Sequence, residues 1–168
     1  METIEGIVTT LHGKEPGPHV VISGSVHGNE TCGPDAFEQI LPTLSLARGS
    51  ATFVIGNPKA REQRVRFTEA NLNRLFKSDE LISPKQKNTY EYRRSRELMS
   101  LFLKADALLD IHSGATPNME PFVICNSLSG GIARTLGFPI VSWGWDVLEP
   151  GGTEDYMHLN GKIGVGVE

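Results

Sequence analysis

The stretch Val20-Val21-Ile22-Ser23-Gly24-Ser25-Val26-His27-Gly28-Asn29-Glu30 decides how the chain reads. It opens on a β-branched run within His19–Val26, the composition of a strand buried on both faces. It closes on a glycine-punctuated turn carrying an imidazole and a carboxylate three residues apart. From Pro34 to Ala47, Phe37, Ile40, Leu41 and Leu44 recur near helical spacing, with Pro42 interrupting the second half. Strand, polar turn and helix make the first unit of an α/β chain.

The alternation continues outward. Thr52-Phe53-Val54-Ile55 reads as a buried strand stopped by Gly56-Asn57-Pro58. Lys59 to Lys77 is polar and lacks periodicity, which predicts a long loop of the kind that carries function. A helix is predicted over Pro84 to Lys104, with Leu98, Leu101 and Phe102 inward and Arg93, Arg94 and Arg96 mostly outward. Ala107-Leu108-Leu109-Asp110-Ile111 follows as a strand that ends at His112-Ser113-Gly114. Phe122–Cys125, Pro139–Ser142 and Ile163–Val167 read as strands, Gly130–Leu136 and Thr153–Leu159 as helices, and Thr3–Thr10 as an edge strand.

Buried-type strands alternating with helices imply a largely parallel sheet covered on both faces. Ligands of such sheets sit beyond the carboxyl ends of the strands. His27, Asn57, His112 and Glu168 all fall at or just past such ends, so one sheet edge can gather them.

Composition removes several function classes. The 168 residues suit one domain, and a net charge of -4 gives no sign of a nucleic-acid binder or an anionic-membrane binder. No apolar run approaches the roughly 18–20 residues of a bilayer span. Met1-Glu2-Thr3-Ile4-Glu5 lacks the basic and apolar regions of a signal peptide, so a cytoplasmic location is expected. Cys32 and Cys125 stand far apart, which argues against a disulfide framework or a thiolate zinc knuckle.

Imidazole and carboxylate are both zinc ligands, and a site with three protein ligands leaves a position for water. His27 and Glu30 offer two such groups, although a His-x-x-Glu turn can equally be only a turn. His112 offers a third, or is a core histidine satisfied by backbone. Asp110 lies two residues before it, on the same strand face, where a carboxylate can orient the ring. Arg66 and Arg74 on the predicted loop carry guanidinium forks suited to a carboxylate or an oxyanion, or form a solvated basic surface.

Taken in order, Ser23 to Glu30, Asn57-Pro58-Lys59-Ala60, Arg66 with Asn71-Leu72-Asn73-Arg74-Leu75-Phe76, and Asp110-Ile111-His112-Ser113 resemble the aspartoacylase/succinylglutamate desuccinylase family of the zinc carboxypeptidase superfamily. Tyr90-Glu91-Tyr92-Arg93-Arg94 with Glu97-Leu98 is similar to a helix of that family. The resemblance implies a zinc carboxypeptidase-like, three-layer α/β/α sandwich around a mixed, mainly parallel sheet. It implies one Zn²⁺ per chain on His27, Glu30 and His112, with Arg66 polarising the scissile carbonyl. Asn73 and Arg74 would hold a substrate carboxylate, and Glu168, closing Gly164-Val165-Gly166-Val167, would be the general base. The implied reaction is hydrolysis of the amide bond of an N-acylated amino acid or similar small carboxylate.

The chain departs from the family in three places. Asn71 replaces an aspartate, and His158 stands where aspartoacylase has a substrate-gripping arginine ten residues before the glutamate. The family's second, β-rich domain is missing, so residues 1–168 are expected to be a catalytic domain cut before it, with any homo-oligomer forming through that region. A metallocarboxypeptidase acting on peptides and a non-catalytic α/β binding domain are the rival expectations.

Overall fold

A computed structural model describes residues 4–114, 116 and 118–168. Its strands are β1 (Ile7–His12), β2 (Glu15–Gly24), β3 (Arg48–Ile55), β4 (Ala107–Ile111), β5 (Phe122–Cys125), β6 (Ile140–Ser142) and β7 (Ile163–Val167). The helices are α1 (Cys32–Ile40), α2 (Pro58–Gln63), α3 (Pro84–Lys87), α4 (Tyr90–Phe102), α5 (Gly130–Thr135), α6 (Trp145–Leu148) and α7 (Thr153–Leu159). The strands form one seven-stranded sheet in the order β1-β3-β2-β4-β7-β5-β6. Its centre, β3-β2-β4-β7, is parallel, while β1 and β5 run antiparallel on either side and β6 lies parallel to β5. The expected mixed, mainly parallel α/β sheet is therefore the one observed.

Strand alternation explains why both faces are covered. Val21, Val54 and Leu108 pack with Leu98, Phe102 and Met157 from α4 and α7. Their neighbours Ile22 and Phe53 point the other way and pack with Phe37 of α1. No helix of the described residues is long and apolar enough to cross a membrane.

Several predicted boundaries move. The edge strand runs over Ile7–His12 rather than Thr3–Thr10, paired antiparallel to β3, and Thr3 lies outside the described residues. The helix predicted to reach Ala47 stops at Ile40, because Pro42 has no N–H with which to continue it, although Leu41 and Leu44 still pack beside Phe37. The helix predicted over Pro84–Lys104 is two, broken at Asn88, with the Thr89 hydroxyl accepting from the Tyr92 N–H at 3.2 Å to start α4. The predicted loop Lys59–Lys77 begins inside α2, which Asn57 caps through the Ala60 N–H at 3.0 Å, and contains a 3-10 turn at Leu72–Arg74. Arg94, predicted to face outward, is buried. It donates from Nε to the Gly56 carbonyl at 2.7 Å and from Nη2 to the Ile55 carbonyl at 2.8 Å, which fastens α4 to the end of β3.

Candidate metal centre

Three parallel strand ends build the site. β2 ends at Gly24, and Ser25 turns the chain with a left-handed φ of 55° while its hydroxyl donates to the Glu30 carbonyl at 2.7 Å. The Glu30 N–H closes the turn on the His27 carbonyl at 3.1 Å. Gly28 is needed here because α2 lies against it; a Cβ at that position would stand 2.1 Å from the Ala60 carbonyl carbon. β4 delivers His112 as its next residue, held by a bond from its N–H to the Val167 carbonyl at 2.8 Å. β7 delivers Glu168, whose backbone pairs with Phe122 in both directions.

His27, Glu30 and His112 are all buried, and one candidate ligand atom from each lies within 4.8 Å of the others. Nδ1 of His27 is 2.8 Å from Oε1 of Glu30, and Nδ1 of His112 is 2.8 Å from Oε2. The far nitrogens are backed by oxygens. Nε2 of His112 faces Oδ2 of Asp110 at 3.0 Å, and Nε2 of His27 faces Oδ1 of Asn71 at 3.1 Å. The Asn71 oxygen also accepts from the Asn73 N–H at 3.0 Å, which fixes its amide orientation, so His27 must donate from Nε2. His27 then turns Nδ1 towards Oε1 of Glu30, while His112 has a carboxylate at each ring nitrogen, Glu30 at Nδ1 and Asp110 at Nε2. Two imidazoles and one carboxylate converged in this way could hold a metal ion, and the donor set suits a divalent ion of borderline softness.

The electrostatics agree. Burial pulls the His112 imidazole down, but Asp110 and Glu30 outweigh it and hold the ring well above the usual histidine range. Burial lowers His27, with His112 and Arg66 adding to the effect against its bond to Glu30. Burial raises Glu30, yet hydrogen bonds from His112 and His27 outweigh it and hold the carboxyl well below the usual range. Burial pushes the Glu168 carboxyl up, Glu30 and Asp110 reinforce the rise, and His112 and Arg66 oppose it. Glu168 therefore lies within the field of this cluster. Arg66 reaches towards it, donating from Nη1 to Oε1 of Glu30 at 2.9 Å, with its side chain 48% exposed.

The profile of the succinylglutamate desuccinylase/aspartoacylase catalytic domain matches residues 16–140. The chain belongs to this family. A human N-acyl-aromatic-L-amino acid amidohydrolase (carboxylate-forming) is 33% identical over 172 residues, covering 92% of this chain and 54% of its own length. A probable aspartoacylase of Nostoc sp. is 25% identical over 162 residues, covering 89% of this chain and 54% of its own. The product-bound ectoine utilization protein from Ruegeria pomeroyi shares the fold, with a TM-score of 0.77 at 23% identity over 93% of this chain and 51% of that one. The chain thus spans about half the length of the curated relatives that match most of it.

Within this family member, Asn73 and Arg74 lie in the 3-10 turn that follows Asn71, the residue facing His27. The Asn73 oxygen accepts from the Thr153 N–H at 3.1 Å, tying the 3-10 turn to the start of α7. Arg74 forms an ion pair with Glu149 and also donates to the Asn73 carbonyl at 2.6 Å. His158 is not part of the cluster. It sits in the last turn of α7, before the chain enters the amino end of β7, and lines a cavity with Asn126, Arg134 and Trp143.

Sequence reasoning did not find Thr153, Ser23 or Glu149. The Thr153 hydroxyl donates to Oδ2 of Asp110 at 2.6 Å, and the Ser23 hydroxyl to Oδ1 at 2.5 Å. Small hydroxyl residues at a helix start and a strand end carry no signal of such a role. Ser23 stands opposite Asp110 in the β2–β4 register, a pairing visible only once the sheet order is known.

Proposed function

We propose that this chain catalyses hydrolysis of the amide bond of an N-acylated amino acid or a similar small carboxylate, with one zinc ion held by His27, Glu30 and His112. The observation that carries the reading is the pair of imidazoles, each backed at Nε2 and turned at Nδ1 onto Glu30, beneath an arginine that reaches the same carboxylate. The amidohydrolase and aspartoacylase names of the relatives support it. Zinc, when bound, supplies Lewis-acid chemistry for a carbonyl and a water of lowered pKa.

The residues divide the remaining work. Glu168, with its carboxyl raised by burial, takes a proton from the attacking water and later passes it to the leaving amine. Arg66, whose guanidinium is half-exposed beside Glu30, donates to the developing oxyanion. Arg74 binds the substrate carboxylate in exchange for Glu149, and the Asn73 amide contributes its Nδ2 because its oxygen is committed to Thr153.

The test is a panel of N-acetyl aromatic, aliphatic and acidic amino acids and short peptides, with the zinc-loaded protein and free amine release as the readout. Release from N-acyl amino acids is expected. Release from peptides alone would replace the deacylase by a carboxypeptidase, and no release from any compound would contradict the hydrolase reading.

A further inference from the structure

The segment between α2 and the 3-10 turn at Leu72–Arg74 carries Arg66 and leads into Asn71, yet it has no regular structure. Apolar packing does not hold it, since Val65 and Phe67 are 38% and 40% exposed. Its backbone amides converge instead on one carboxylate. The Thr68 N–H donates to Oε1 of Glu91 at 2.7 Å, the Glu69 N–H to Oε2 at 3.2 Å, and the Ala70 N–H to Oε2 at 3.1 Å. The Thr68 hydroxyl adds a bond to Oε1 at 2.7 Å and Asn57 Nδ2 another at 3.3 Å. Three successive N–H groups form a concave nest of the kind that binds anions, and here the chain fills it with its own side chain.

Glu91 is fully buried on α4. Its helix is fastened to the end of β3 by Arg94, and Asn57, at that same strand end, caps α2. The other end of the segment is tied to the metal centre, because the Arg66 carbonyl accepts from the Gly28 N–H at 3.1 Å, next to His27. Arg66 is thus suspended between two fixed points, the His27 turn and the Glu91 carboxylate.

We propose that Glu91 is a positioning residue that sets Arg66 and the Asn71–Arg74 turn over the metal centre. Its hydrogen bonds go to Asn57, Thr68, Glu69 and Ala70, and it acts by ordering the backbone that carries Arg66 and leads into Asn71. The catalytic part of this inference rests on the deacylase reading; the structural part does not.

The test is Glu91→Gln in the zinc-loaded protein, a replacement of equal shape that turns one acceptor into a donor facing N–H groups. Zinc stoichiometry and circular dichroism are expected to match the parent. Amide exchange at Thr68, Glu69 and Ala70 should accelerate at least ~10-fold, since the amides lose the acceptor that protects them. Turnover of the best N-acyl amino acid should fall by roughly 100-fold in kcat/KM, shared between kcat through Arg66 and KM through Arg74. Parental exchange at these three amides would overturn the proposal, as would parental kinetics in an active protein. A parent inactive on every N-acyl amino acid would sink the deacylase reading alone, leaving amide exchange to decide on Glu91. Should Glu91→Gln not fold, Thr68→Val removes only the hydroxyl bond. A several-fold rise in exchange at Thr68 would then support the proposal, and parental exchange would overturn it.

Discussion

Nε2 of His112 lies 3.0 Å from Oδ2 of Asp110, and the same carboxylate receives the hydroxyls of Ser23 and Thr153. Three donors from β2, α7 and the β4 terminus therefore hold a fully buried anion behind one imidazole. A proton on Nε2 turned to Asp110 would leave Nδ1, which faces Oε2 of Glu30, able to serve as a ligand atom.

Replacing Asp110 with Asn removes the charge and lets an amide NH₂ face Nε2, which favours the wrong tautomer. Zinc affinity should fall about 10–100-fold, measured by competition with a chromophoric chelator. Unchanged affinity would mean that Asp110 supports the fold and not the ligand.

Gly28→Ala would place a methyl 2.1 Å from the Ala60 carbonyl carbon and 2.3 Å from the Arg61 nitrogen. Backbone lies on the other side, so the His27 turn or α2 must move. A stability loss of about 1–3 kcal/mol in urea unfolding is expected, together with weaker zinc binding. Parental stability would show that the turn has slack not visible in its packing.

Arg66→Ala and Arg74→Ala should separate in steady-state kinetics. Loss of the oxyanion donor should lower kcat by about 100–1000-fold with KM little changed. Loss of Arg74, the guanidinium paired with Glu149 and proposed to bind the substrate carboxylate, should act mainly through KM. Identical effects on both parameters would refute the division of roles.

Acid stability offers an independent check on the loop. Burial raises the Glu91 carboxyl, but hydrogen bonds from Thr68 and Asn57 outweigh it and hold it below the ordinary value of 4.5. A depressed folded-state pKa means that the stabilisation is present above that ordinary value and is lost as pH falls through the folded one. The difference in unfolding free energy between the parent and Glu91→Gln should be constant from pH 7 to about 5 and shrink below about 4.5. A difference that persists undiminished to pH 3 would contradict the depressed pKa.

Spacing and strand ends made the candidate residues legible, while their grouping into one ligand set came from the family resemblance. Asp110 and His112 share a face through the two-residue strand period, and the His27 turn announces itself by its glycines. The sheet followed from β-branched runs separated by helices. What stayed hidden depends on partners distant in sequence. Arg94 reads as a solvent-facing cation on a helix, yet its acceptors are carbonyls at the end of β3, 38 and 39 residues away. Glu91 has the same character, with nothing in its own helix to mark a carboxylate that collects amides some 20 residues earlier. The six-residue α2 is too short for periodicity to reveal, and only its Asn57-Pro58 start carries a helix signal.

The most direct test of the central claim is metal content by mass spectrometry on the purified protein, with His112→Ala beside it. About one zinc per chain, lost in the variant, is the predicted result. Absence of zinc from the parent even after loading, or its retention by His112→Ala, would contradict a metal centre built from His27, Glu30 and His112.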